Sequence, residues 1–300
     1  MHKQIFSSLI IFNLLVVSCT KSPERSHKEL NNSIKNNDST IQDLDRSKQD
    51  LDSILEDAVR NQDINLVRKL LNNSIDSNIN EEKILRTAII VESKEIIELL
   101  LEHGIKTRPG DLNFAIKANK NQIVKLLLEG GKTDINSKDS EGNFPLIVAI
   151  NYRNAEVVKL LLDNGADPNS ENGLALQKAL LFDLREIIKL LLLNDADPNL
   201  KKDKHQISYL YLSVFNNDLK NLKLLLAKGA NPNDDRDGKN SIALICAIQL
   251  NNPQMVKLLL NNGANPRSIV VNETTTYLAS DLALNKPEIR KLLQEAERKK

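Results

Sequence analysis

Few residues in this 300-residue chain are of a type that does chemistry, and their placement argues against it. The four histidines, His2, His27, His103 and His205, are scattered, so no metal-ligand spacing emerges from them. Cys19 and Cys246 are too few for a disulfide framework. Cys246 adjoins Ala247 with no histidine close in sequence, which predicts a half-buried structural thiol rather than a nucleophile. Asp234, Asp235 and Asp237 are spaced somewhat like a calcium loop, but the run continues "GKNS" without the closing Glu, so a solvated turn is expected. No G-x-x-x-x-G-K, H-E-x-x-H, G-x-S-x-G or C-x-x-C string occurs. The chain therefore offers no catalytic residue, no cofactor site and no metal site, and a non-enzymatic protein is expected.

Charge and composition narrow the partners. With 41 basic against 40 acidic residues the net charge is +1, which removes the electrostatic reason to expect nucleic-acid binding. No small-molecule substrate is implied either. Hydrophobic residues make up 41% of the chain, yet aromatics make up only 3% and Trp is absent, so Leu and Ile must carry the packing.

The one residue with a chemical role is at the start. "MHKQIFSSLIIFNLLVVSC" opens on His2 and Lys3 and continues as a mostly apolar run from Ile5 to Val17. That run suits a secretory signal and falls short of the roughly 20 apolar residues of a membrane span. Val16-Val17-Ser18-Cys19 resembles the bacterial lipobox. The resemblance implies cleavage before Cys19, a diacylglycerol on its thiol and acylation of the new amino end, with several chains giving stable anchoring. Thr20 follows, so the Asp that retains many such proteins at the inner membrane is missing. We therefore expect a signal peptide over 1–18 and an exported protein held to a bacterial membrane through its lipid alone, at the periplasmic face or the cell surface. Residues 19–48, rich in Ser, Asn, Lys and Asp, read as the acylated Cys and a disordered tether of roughly 30 Å reach.

The rest of the chain repeats itself. "VKLLLDNGADPN" at 158–169 returns as "IKLLLLNDADPN" at 188–199, "LKLLLAKGANPN" at 222–233 and "VKLLLNNGANPR" at 256–267. One column, usually Gly, holds Ser74, Gly104, Gly131, Gly165, Asp195, Gly229, Gly263 and Ala296. A second column lies sixteen residues earlier each time: Ala58, Ala88, Ala115, Ala149, Ala179, Ser213, Ala247 and Ser280. The stretch from the Gly column to the next Ala column runs 14, 11, 18, 14, 18, 18 and 17 residues, so the length variation falls there. Each unit thus has a part of fixed length and a loop. The fixed part reads as two antiparallel helices. Val158, Leu161 and Leu162 recur at helical spacing while Leu160 fills another face, as a helix buried on two sides requires. A Gly just past the helix fits a left-handed cap, and a small residue in the Ala column lets neighbouring helices approach.

Period, helix pair and the "GADPN" loop resemble the ankyrin repeat. Unit four comes nearest its signature, with Asp139, Gly142, Phe144-Pro145-Leu146-Ile147 and Ala149; Phe144 and Ile147 replace the family's Thr and His. The resemblance covers residues 49–300 and implies an all-α solenoid of about eight helix-turn-helix units with short β-hairpin fingers. A full finger needs about 17 residues on that pattern, so trimmed fingers are expected before Ala88, Ala115 and Ala179. The resemblance also implies a monomeric interaction module that binds an unidentified protein through finger tips and the concave face of its first helices. On that face lie the second and third residues after the Ala column. In units four to seven these include Tyr152, Leu181, Phe182, Phe215 and Leu250, candidate partner-binding residues. Two other roles stay open on the sequence: an accessory or inhibitor of a periplasmic enzyme, and a surface-exposed host-binding lipoprotein.

Overall fold

A computed structural model describes residues 48–73, 79–130, 133–200, 208–233, 240–271 and 276–299. These form eight consecutive helix pairs. The first four are α1 (Lys48–Arg60) with α2 (Ile64–Asn73), α3 (Glu81–Ile90) with α4 (Lys94–Glu102), α5 (Pro109–Lys117) with α6 (Asn121–Glu129), and α7 (Pro145–Asn151) with α8 (Ala155–Asp163). Then come α9 (Ser170–Leu181) with α10 (Arg185–Leu193), α11 (Tyr209–Phe215) with α12 (Leu219–Ala227), and α13 (Ile242–Gln249) with α14 (Pro253–Asn261). A hairpin of β1 (Ile269–Val271) and β2 (Thr276–Leu278) precedes α15 (Ala279–Leu282) and α16 (Pro287–Arg298). Through the first seven units, first helices pack on first helices and second helices on second, which makes a two-layered stack whose core runs its whole length.

Through the first seven units the repeated columns have the expected places, with Ser74 and Gly131 lying outside the described residues. Ala58, Ala88, Ala115, Ala149, Ala179, Ser213 and Ala247 all sit on first helices and are buried. In α8, Val157, Val158, Leu161 and Leu162 are buried, because one side meets its own partner and another the neighbouring units. Past the second helices, Gly104, Gly165, Gly229 and Gly263 take φ between +84° and +93°, and Asp195 takes +62°. The left-handed turn lets the following residue bond back to the helix, as Ala166 N–H does to Leu161 C=O at 3.0 Å.

A second left-handed column escapes the sequence reading. Gln62, Glu92, Asn119, Arg153, Asp183, Asn217 and Asn251 turn the chain between the two helices of seven successive units, with φ from +51° to +58°. In six of them the next N–H bonds to the carbonyl of the small-residue column, as Asn154 does to Ala149 at 3.0 Å. Side chains other than Asn and Asp are disfavoured in this conformation, so at Gln62, Glu92 and Arg153 the stack overrides local preference.

Asparagines bridge the units. Asn136 Nδ2 donates to Gly165 C=O (2.9 Å) while its Oδ1 accepts from Asp167 N–H (2.8 Å). Asn169 does the same to Asp195 and Asp197, Asn199 to Gly229 and Asn231, and Asn233 to Gly263 and Asn265. The "ADPN" loops are thus joints as well as helix stops.

Three expectations need correction. In the last unit Ser280 is only half-buried, and Ala279 and Ala283 take the buried small positions instead. Ala296 lies inside α16 rather than past its end, because α16 runs 12 residues where the preceding second helix, α14, runs nine. Among the described residues only the last joint carries a β-hairpin, with Ile269 opposite Leu278 and Val271 opposite Thr276. The long joint before Ala149 is instead two tight turns, held by Asp139 Oδ1 accepting from the N–H groups of Glu141 and Asn143. Part of the joint before Ala88 lies outside the described residues, and the joints before Ala115 and Ala179 carry no strand either. The second of these uses three successive left-handed residues, Glu171, Asn172 and Gly173. Tyr209 Oη donates to Gly173 C=O at 2.9 Å, and a Cβ at position 173 would fall 2.4 Å from the Tyr209 Oη, so only Gly fits.

The buried Ala column yields a stability prediction. Ala149→Leu should overpack the interface of α7 with its neighbours and lower the unfolding free energy by ~1–3 kcal/mol. Urea denaturation checks it; an unchanged midpoint would show that the column is not the point of close approach.

Candidate interaction surface

The candidate residues lie where the first helices end. Tyr152, Phe182 and Leu250 cap α7, α9 and α13, while Leu181 and Phe215 are the last residues of α9 and α11. All five are exposed, from 40% for Phe182 to 63% for Phe215. They do not close the core of adjacent units. These helix ends come together because α7, α9, α11 and α13 pack in succession. Asn216 Nδ2 also donates to Leu180 C=O across one interface at 3.0 Å. The result is a ridge of large apolar side chains over four units. Ile90 sits at the corresponding place in α3 and is likewise exposed, but Lys117 and Ala118 interrupt the run at α5.

Local contacts hold the ridge in shape. Tyr211 and Phe215, one turn apart on α11, stack with ring centroids 5.9 Å apart and planes 19° from parallel. Phe182 carries two cations, the Arg153 guanidinium and the Lys178 ammonium, each 5.9 Å from its ring centroid.

Units one to three present a different surface, dominated by internal ion pairs. Glu56 takes Arg60 (2.7 Å) and Lys83 (2.5 Å), Arg108 reaches Glu81 and Glu82, Lys117 meets Glu141 (2.8 Å), and Lys120 meets Glu92. Beneath them lies a polar seam. Asp111 is buried, which pushes its carboxyl above the usual range despite the Arg108 N–H at 2.9 Å and nearby Arg86. Asp139 goes the other way. Slight burial raises it, but the N–H groups of Asn143 and Glu141, the Asn113 amide (2.6 Å) and Lys117 outweigh that and hold it below the usual range. Asp139 thereby organises the turn before α7.

The chemistry-bearing types have structural roles where they can be seen. His103 bonds Leu99 C=O (2.8 Å) and Asn72 Oδ1 (2.9 Å), joining units one and two. Cys246 is buried in α13, and burial pushes its thiol up, away from the reactive thiolate. Among the described residues no three His, Cys, Asp or Glu side chains are placed to hold a metal ion. None of their helices is long and apolar enough to cross a membrane. Cys19, His2, His27, His205, Asp234, Asp235 and Asp237 lie outside the described residues.

Comparison with known proteins supplies the family. The family model described as ankyrin repeats (3 copies) matches residues 112–202, 176–269 and 210–299, together more than half of the chain. An ankyrin repeat protein of fowlpox virus is 40% identical over 68 residues, 23% of this chain and 15% of the relative. One of Acanthamoeba polyphaga mimivirus is 32% identical over 136 residues (40% and 37%), and one of Rickettsia felis is 35% identical over 92 (28% and 24%). The chain thus spans well under two thirds of each of these relatives. Among solved structures, an ankyrin repeat domain from Acinetobacter baumannii superposes with a TM-score of 0.52 at 27% identity, covering 62% of this chain and 97% of that one. A second ankyrin repeat protein gives 0.51 at 30% identity, covering 63% and 99%. With the helix pairs, the buried small column and the family match in agreement, the chain belongs to the ankyrin-repeat family.

Proposed function

We propose that the protein is a lipid-anchored interaction module, which holds a partner protein against a bacterial envelope membrane through the ridge of units four to seven. Ankyrin-repeat proteins generally serve as non-enzymatic protein-interaction modules, which supports the general role. The ridge is the observation that carries the specific reading. A chain with so few aromatics exposes Tyr152, Phe182 and Phe215 together, flanked by Leu181 and Leu250. Contiguous exposed apolar patches mark binding surfaces, and aromatic side chains dominate the energetics of interfaces. The anchor rests on Val16-Val17-Ser18-Cys19 and its resemblance to the lipobox.

Three outcomes are expected. Phe215→Ser should cost less than about 1 kcal/mol in chemical unfolding, whereas Leu225→Ala in the core should cost ~2–5 kcal/mol. Equal losses would return Phe215 to the core. A photo-crosslinking amino acid at position 215, used in intact cells, should trap a discrete protein adduct. The same group at exposed Leu193, on a second helix, should not. Identical adducts from both positions would contradict the ridge as the binding surface. Finally, Cys19→Ala should abolish metabolic labelling by palmitate and release the protein from the membrane fraction, and labelling equal to the parent would rule out the anchor.

A further inference from the structure

Resting on the ridge as the binding surface, we infer what kind of segment it takes: an apolar stretch of a partner protein that carries carboxylates, seated so that its acidic groups meet Arg153 and Lys178. The inference comes from the distribution of charge. Cations on the first-helix side of units one to three, Arg60, Lys83, Arg86, Arg108, Lys117 and Lys120, are each paired with a carboxylate. Among the described residues neither Arg153 nor Lys178 forms such a pair. Both stand instead on the rings' side of the ridge, over Phe182.

The neighbouring carboxylates do not cancel them. Asp183, next in sequence to Phe182, and buried Asp218 both face Arg185, at 3.5 and 2.9 Å. The second and third positions after the small column carry no charge in units four to seven: Asn151 and Tyr152, Leu181 and Phe182, Phe215 and Asn216, Gln249 and Leu250. The ridge therefore presents apolar surface with a local excess of positive charge, although the chain as a whole is near neutral. An incoming carboxylate gains charge-assisted hydrogen bonds from Arg153 and Lys178 at an edge where apolar contact excludes water. An incoming ammonium is repelled by the same pair and desolvated without compensation. Two free cations are too few to hold a phosphate backbone, whose affinity grows with the number of phosphates neutralised, so the occupant is a protein segment. At 8–10 Å between packed helices, four units make a surface about 30 Å long, the length of a ~20-residue helix.

The test pans a phage-displayed random 12-residue peptide library against the full mature chain. Recovered peptides are then measured on the parent, on Arg153→Glu/Lys178→Glu and on Phe215→Ser/Leu250→Ser, all first shown to unfold like the parent. The inference expects peptides enriched in Asp and Glu beside Leu, Ile or Phe. Their binding should weaken at least tenfold on charge reversal, and also on loss of Phe215 and Leu250. Peptides that need Phe215 and Leu250 but ignore charge reversal would overturn the acidic class and leave the ridge as a binding surface. Recovery of no peptide, or of peptides indifferent to both variants, would overturn the acidic class and the ridge together.

Discussion

The side-chain amides of Asn136, Asn169, Asn199 and Asn233 tie each unit of the central and C-terminal stack to the next, and the rest of the molecule is arranged around that joint. Each amide uses donor and acceptor together, on a carbonyl at a left-handed turn and an N–H two residues further along. Both backbone groups belong to an irregular loop, and left without partners they would cost free energy comparable to a lost hydrogen bond. Because the bridge is short and bidentate, it also fixes the register of one unit on the next. The buried column from Ala58 to Ala247 then sets how closely the first helices approach. No helix pair could bury its apolar sides alone, so stability is shared between neighbours along the stack.

That fixed spacing gives the surface its meaning. Side chains at equivalent places in successive units line up because the joint repeats, so a residue choice made four times becomes a continuous feature. In units four to seven the choice is Tyr152, Leu181, Phe182, Phe215 and Leu250, and the feature is an apolar ridge. In units one to three the same side of the stack is covered by ion pairs such as Lys117–Glu141 and Arg86–Glu82. Exposed pairs of this kind add little to stability, yet each neutralises the two charges that form it. The two halves share a backbone and present different chemistry.

Much of this was legible in the sequence, for physical reasons that can be named. The Leu runs and the small column gave the helix pairs, since burial on two sides leaves apolar residues on two faces. Gly104, Gly165, Gly229 and Gly263 marked the helix ends, because a residue without Cβ enters the left-handed region without penalty. The turns between paired helices left no such trace. Gln62, Glu92 and Arg153 adopt the same conformation against their own preference, under tertiary constraint. The last unit departs from the count because its first helix is only four residues and its inter-helix link one residue longer, so the buried small positions are Ala279 and Ala283 rather than Ser280. Exposure of the five ridge residues followed from their register. The Arg153 and Lys178 pair over Phe182 did not, because one cation comes from the preceding unit.

The claim that neighbour-to-neighbour joints hold the stack is open to direct measurement by amide hydrogen exchange of Asn199→Ala beside the parent. Asn199 Nδ2 reaches Gly229 C=O at 3.0 Å and its Oδ1 accepts from Asn231 N–H at 2.8 Å, so removal breaks one joint only. The account predicts faster exchange at Asn231 and in the helices of units five and six, with units one to three keeping parental protection. Uniformly faster exchange along the whole chain, or no change at Asn231, would contradict it.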